Sequence, residues 1–319
     1  MWLSGVYRTC IGTRFYDRRE EVDKLRNWIK DGCYVVVWGP RNVGKSELLR
    51  YVARLLEKEN WFTYYVDVRE YLANKVIQVL PRSLEEEFVK AISSIIGLPD
   101  KLLTVFEYGV RYAIEKRASG VLWVVDEPQY LNNMRAFLES LIKRTIYTYH
   151  EKPLSVVVCV SEGWFILSET LLSLINYGSR TMLVDWLGIS DYKLFARELL
   201  ELKKTSIEID IETLYDRYTG GVPGALVSIT NIGLSQWVKN MKEHLLSTLR
   251  IVSRKIGVDV AEVKEFIKSL PRRIDYIKPS KESIIVEELT KHNILYFNPL
   301  EEKPLVKIQL PVYKTILLQ

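Results

Sequence analysis

The sequence is poor in the residues that mark secreted, metal-clasping or membrane-spanning chains. It has only three cysteines, Cys10, Cys33 and Cys159, and their spacing matches no zinc or redox motif. Cys159 lies inside the apolar run 156–160 and reads as a small buried hydrophobe. A reduced, cytoplasmic setting is the simplest expectation. The opening stretch MWLSGVYRTC is too short and too polar for a signal peptide. Residues 218–238 carry no charge, yet they hold four glycines, a proline and several Ser, Thr, Asn and Gln, which argues against a bilayer helix and so against a membrane partner. Glutamine is scarce, five in 319 residues, while Lys, Arg and Glu abound, a pattern seen in thermophilic proteins. There is no internal repeat, no low-complexity tract and no Asn-Lys-x-Asp segment of the kind that reads guanine.

What remains is a folded chain. It is 48% hydrophobic and 27% charged, with a net charge of +5, which suits two or three domains with a sizeable core. The charge is uneven. Residues 239–278 hold ten Lys or Arg against five Asp or Glu, a surplus equal to that of the whole chain. This window is a candidate contact for an acidic partner.

Hydrophobic periodicity predicts strands at 34–38, 61–68, 121–125, 154–160 and 181–184. Helical patterns fall at 46–58, 84–96, 101–116, 129–149 and 164–176. Asp17, with Glu20 three residues on, is the expected cap of a first helix. Strands alternating with helices imply an α/β fold, a parallel sheet with helices on both faces, over residues 1–186. Helices then dominate 187–256, with Ser190 and Asp210 as expected caps. Two helices (260–270 and 281–292) and two short strands (294–297 and 305–309) suggest a small winged helix-turn-helix over 257–319.

The strongest local signal is Gly39-Pro40-Arg41-Asn42-Val43-Gly44-Lys45-Ser46, which matches the phosphate-binding loop G-x-x-x-x-G-K-[ST] between an apolar strand and an amphipathic helix. Its glycines allow a backbone that turns its N–H groups inward around phosphates. Lys45 is placed to reach the β and γ phosphates, and the Ser46 hydroxyl to ligate magnesium. Glu47, the next residue, is grouped with this nucleotide-binding stretch. Residues 121–127 supply the second half: a buried strand delivers Asp126, expected to hold Mg2+, and Glu127, expected to orient the attacking water. An Asp-Glu pair favours hydrolysis of ATP over phosphate transfer to a small molecule. Pro128 is expected to start the next helix.

Further candidates are less local. Ser161, with Glu162 second, stands at the end of the strand 154–160, where a polar side chain would sit beside the γ-phosphate. Arg180, or less directly Arg144, is a candidate for stabilising transition-state charge. Tyr16 or Phe15 are candidates to flank a base. Pro223, in Gly220-Gly221-Val222-Pro223-Gly224, offers a flat apolar face for adenine.

The order of these motifs resembles the archaeal ATPase family, in the STAND branch of AAA+-type P-loop proteins. The segments that carry the resemblance are the aromatic-Asp-Arg stretch at Tyr16-Asp17-Arg18 with Glu21, the loop 39–46, Asp126-Glu127-Pro128-Gln129 and Gly220-Gly221-Val222-Pro223. It implies a five-stranded sheet with the P-loop strand central, a helical lid and a C-terminal winged helix. It further implies that Pro223 approaches the adenine and that Arg18 sits near the nucleotide. The resemblance also implies a nucleotide-driven switch, as members of the family often are. The sequence departs from the family at Val160-Ser161-Glu162, where Gly-Ser is common and the added acid would repel phosphate unless it points away.

Two functions follow as expectations. One is a Mg-dependent ATPase switch that cycles between ATP and ADP, as a monomer or a nucleotide-dependent oligomer, with a protein partner on the winged helix. The other is an ATP-regulated DNA-binding protein using the winged helix and residues 239–278. Against the second, residues 281–292 carry three Glu against two Lys. A small-molecule kinase is disfavoured because no acceptor-binding motif is evident.

Overall fold

The computed structural model describes residues 7–16, 18–74, 77–80, 85–91, 102–148, 152–160, 174, 178–274, 280–298, 301 and 303–318. Five strands form a parallel sheet: β1 (Tyr34–Trp38), β2 (Trp61–Asp67), β4 (Gly120–Asp126), β5 (Leu154–Val160) and β6 (Arg180–Leu183). A sixth, β3 (Gln78–Leu80), joins antiparallel on the β2 edge, so the order is β3-β2-β4-β5-β1-β6. The sheet therefore has one strand more than the family pattern implied. The P-loop strand β1 is interior, between β5 and β6, while β5 is the middle parallel strand.

Both faces of the sheet are covered, which explains the near-continuous apolar runs of its strands. Val35, Val37, Val124 and Val157 face one core, with Leu25 and Ile29 of the helix Arg19–Lys30 and Leu48 and Val52 of the helix Lys45–Glu57. Val36, Trp38, Trp123 and Val156 face a second core, with Phe106 and Val110 of Leu102–Glu115 and Leu138 and Leu141 of Met134–Thr148. The alternation of inward and outward side chains along each strand thus feeds two cores.

Several helix ends differ from expectation. The first helix is preceded by Arg18, whose φ of 73° is left-handed, rather than opened by Asp17, which lies outside the described residues. Pro128 begins only a single 3-10 turn, Pro128–Tyr130, and the α-helix starts at Met134. Gly188, not Ser190, precedes the helix Ile189–Lys203. Asp210 does cap its helix, accepting from the Thr213 N–H at 2.7 Å. The helix expected at 164–176 falls almost wholly outside the described residues.

Beyond the sheet come a π-helical turn Tyr215–Thr219, the helix Pro223–Ile232 and the 23-residue helix Leu234–Ile256. The C-terminal part contains helices Val260–Lys268 and Lys281–Lys291 and a small antiparallel sheet, β7 (Arg272–Arg273), β9 (Leu305–Ile308) and β8 (Leu295–Tyr296), in that spatial order. A final helix, Pro311–Leu318, was not expected. The first core runs on without a break into these parts, through Leu226, Leu249, Ile267 and Val312. No helix among the described residues is long and apolar enough to cross a membrane.

Candidate functional site

The chain leaves β1 at Trp38 and turns sharply at Gly39, with φ of 147°. A Cβ here would lie 2.1 Å from the Val184 carbonyl oxygen. Only glycine lets the loop start so close to the segment after β6, which is tied to it by the Val184 N–H to Trp38 carbonyl bond of 2.8 Å. The loop ends at Gly44, and Lys45 opens the helix Lys45–Glu57, so the helix N-terminus, with its partial positive charge, begins where the loop ends.

Lys45 is buried, 5% exposed. Its Nζ donates to the carbonyls of Gly39 (3.0 Å) and Pro40 (2.6 Å). Burial holds its pKa below the ordinary lysine value, opposed by the nearby Cys159, Asp126 and Glu127. A buried ammonium whose partners are mostly neutral carbonyls is poised for a stronger anionic acceptor.

β4 brings the carboxylates to the same end of the sheet. Asp126 is 2% exposed, and its Oδ2 accepts from Ser46 Oγ at 2.7 Å and from the Tyr65 hydroxyl. Burial, and next the Asp126 charge, push the Tyr65 phenol well above its usual pKa, so it remains a donor. Glu127 has left-handed backbone, φ 54° and ψ 49°. Its N–H donates to the Cys159 carbonyl at 2.9 Å, and its carboxylate is ion-paired with Arg69.

The Ser46 hydroxyl and Asp126 carboxylate fit a hard cation such as Mg2+, being adjacent oxygens at the mouth of the loop. No group of three or more His, Cys, Asp or Glu that could hold a metal occurs among the described residues. A cation here would therefore need phosphate and water oxygens to complete its shell, as Mg2+ commonly does.

The loop opens into a cleft of about 450 Å³. One wall is the loop itself, Arg41 to Glu47, with Asp126 and Glu127. The opposite walls are Thr9 to Ile11, Thr13 to Tyr16 and Arg18, then Leu187 and Phe195, and Pro223, Gly224 and Val227. A larger groove of about 950 Å³ lies beside the first helix, but no P-loop residue lines it. The smaller cleft is the one with convergent polar chemistry.

The structure brings most of the expected residues together. Tyr16 lines the cleft, with its hydroxyl donating to Glu198 at 2.6 Å. Arg18 lines it too, but its guanidinium is used internally: it donates to the Val43 carbonyl at 3.2 Å and to that of Asp185, bracing the loop from behind. Glu47 accepts from the Tyr7 hydroxyl at 3.1 Å and pairs with Arg50 at 3.1 Å. Pro223 faces the loop at the first turn of its helix, where the Gly224 N–H donates to the Asn42 carbonyl at 3.1 Å. A Cβ on Gly224 would lie 2.6 Å from that of Asn42.

Arg180 is not brought to the site. It opens β6 opposite Val35, at the far end of the sheet from the loop, and stacks over Trp28 at 5.4 Å. Parallel strands present their C-terminal ends to a ligand, and Arg180 is at the wrong end of its strand. Arg144 is ion-paired with Glu107. Ser161 and Glu162 lie outside the described residues.

Three contacts escaped sequence reasoning: Tyr65 on Asp126, Arg69 on Glu127, and Gln309 on the loop. With its amide turned to satisfy both ends, Gln309 accepts from the Arg41 N–H at 3.2 Å and donates to the Asn293 carbonyl at 2.8 Å. The alternation along β2, which sends Tyr65 to the same core as Val124, was the one available signal.

A buried lysine folded over a glycine-bounded loop, facing a Ser-Asp pair at a parallel sheet end, defines a P-loop nucleotide-binding protein. The chain belongs to the archaeal ATPase family: the family described as an ATPase domain predominantly from Archaea matches residues 15–229. It is similar to two ATP-binding proteins of Methanocaldococcus jannaschii. MJ1076 is 24% identical, covering 89% of this chain and 93% of its own; MJ0147 is 23% identical, covering 91% and 94%. Its fold is similar to that of the Walker-type ATPase PABY2304 of Pyrococcus abyssi, with a TM-score of 0.59 at 20% identity and 96% of each chain covered.

Proposed function

We propose that the chain binds Mg-ATP in the cleft, hydrolyses it, and uses the cycle to reposition its C-terminal parts. The Ser46–Asp126 pair at 2.7 Å beside Lys45, with Glu127 next in sequence, carries this reading. Ser46 and Asp126 would hold Mg2+, which when bound neutralises charge on the phosphates. Lys45 would leave its carbonyls for the β and γ phosphates. Glu127 would polarise the attacking water once released from Arg69. Tyr65, donating to Asp126, would hold that carboxylate in orientation. Pro223 and Val227 on one side, with Phe15 and Tyr16 on the other, all lining the cleft, would sandwich the base.

The switch reading is supported by who touches the loop. Gly224, in the helical part, bonds Asn42, and Gln309, in the C-terminal part, bonds Arg41. Any shift of the loop on phosphate binding reaches both parts. We accordingly read 1–186 as the ATPase core, 187–256 as a lid and 257–319 as a winged helix. The β7-β9-β8 order behind two helices supports the last assignment. Single-turnover hydrolysis by wild type and Glu127→Gln tests the proposal. Wild type should hydrolyse one equivalent and the variant should bind but stall; equal inactivity at all temperatures leaves binding alone.

A further inference from the structure

The basic residues from 239 to 291 divide sharply once their ion pairs are known. On the helix Lys281–Lys291, which a winged helix would send into a DNA groove, the charges are used up internally. Lys291 pairs with Glu287 at 2.6 Å and Glu288 at 2.9 Å, and Lys281 with Glu262. Arg272 and Arg273, on β7, pair with Glu282 and Glu301.

The long helix Leu234–Ile256 behaves differently. Its inner face buries Trp237, Leu245, Leu249 and Val252. Its outer face exposes Lys239, Lys242, Arg250 and Arg254. None of these four has an acidic partner within 4.0 Å among the described residues. At 100° and 1.5 Å per residue, they fall within an arc of about 120° and span about 22 Å along the axis. One acid, Glu243, lies among them. Within the same arc lie Ser235 and Gln236, both exposed, and the half-buried Leu246 and Ser253. The exposed Ile251 lies off the stripe, and the helix's tryptophan, Trp237, is buried.

We propose that this face binds the sugar-phosphate backbone of duplex nucleic acid. A protein interface would need an exposed apolar or aromatic anchor at its centre, and the one apolar side chain within the arc, Leu246, is half-buried against the first core. A single strand would need aromatic platforms for its bases, also lacking here. A row of exposed, unpaired cations about 22 Å long, with Ser235 and Gln236 at its start, matches a phosphate backbone, which is contacted through such groups. Such binding would be sequence-independent, because phosphate contacts carry no sequence information. The inference stands apart from hydrolysis, since no stripe residue lines the cleft.

Fluorescence anisotropy tests it with labelled 20-base-pair duplexes of DNA and of RNA, across a salt series. Four neutralised phosphates predict a slope of log K on log salt of about −3.6, or a roughly 150-fold loss between 50 and 200 mM salt. The variant Lys239→Gln/Lys242→Gln/Arg250→Gln/Arg254→Gln should lose that slope and at least ten-fold in affinity at 50 mM salt. Lys281→Gln/Lys291→Gln should bind like wild type. ATP affinity, unchanged in both, shows that they fold. Binding of either duplex with this pattern supports the proposal and names the nucleic acid. Absence of wild-type binding at 50 mM salt overturns it, as does loss in the 281/291 variant alone. Wild-type capture of polyglutamate but of neither duplex also overturns it, in favour of an acidic protein partner.

Discussion

Replacing Arg69 by alanine should speed hydrolysis. The Arg69 guanidinium is half exposed, its side chain 51% accessible, while that of Glu127 is 13% accessible. Such a pair lies between a solvated bridge and a buried one. Screening of the arginine keeps it at the upper end of the surface range, about 1 kcal/mol. If only the untethered glutamate polarises water, removing the tie raises the competent population, and so the rate, by about five-fold. The assay is phosphate release under single turnover with saturating Mg-ATP. Glu127→Gln should lose roughly 100-fold or more, as expected for a general base. Arg69→Ala/Glu127→Gln should match Glu127→Gln, because the arginine acts only through the glutamate. An Arg69→Ala rate below wild type would refute the reasoning and make Arg69 a residue that holds Glu127 productively.

Four other outcomes follow from the geometry. Gly39→Ala forces a Cβ toward the Val184 carbonyl oxygen at a φ of 147°; it should cost roughly 3 kcal/mol or more and lower the thermal midpoint by about 5 °C, seen by calorimetry. Gln309→Ala should leave the C-terminal part equally open to proteolysis with and without ATP, whereas in wild type the nucleotide should change its cleavage rate. Lys45 has its pKa lowered by burial, so its charge opposes folding below that value and the penalty fades as pH rises to 10.5. Wild type without nucleotide should therefore gain stability relative to Lys45→Met through that window, and ATP binding there should take up protons, read by calorimetry in two buffers. Burial, with Glu47 adding to it, raises the Cys10 thiol to about 11; its alkylation at pH 8.5 should run about 100-fold slower than for an ordinary cysteine, and slower still with ATP in the cleft.

The legible parts of the site are those whose demands are local. Gly39 to Ser46 must adopt one backbone to make the loop, and Asp126 and Glu127 must sit where an apolar strand ends. The parallel strands were readable because burial on both faces makes runs such as Tyr34–Trp38 continuous. Contacts between distant segments left no mark: nothing near Arg69 points to Glu127, 58 positions away, or near Gln309 to Arg41. Arg180 misled because its place depends on strand direction and register, not on its neighbours in sequence. Three-residue β3 was too short to show a period, and the closing helix Pro311–Leu318 is a short one that opens on proline.

The central claim is that the loop 39–46 and the Ser46–Asp126 pair take up Mg-ATP. Isothermal titration of ATP into wild type and Lys45→Ala, each with magnesium and with EDTA, tests it most directly. Wild type should bind one equivalent, more weakly without the metal, and Lys45→Ala should lose affinity by at least 100-fold. Equal heats from wild type and Lys45→Ala, or no uptake by wild type in magnesium, would contradict it.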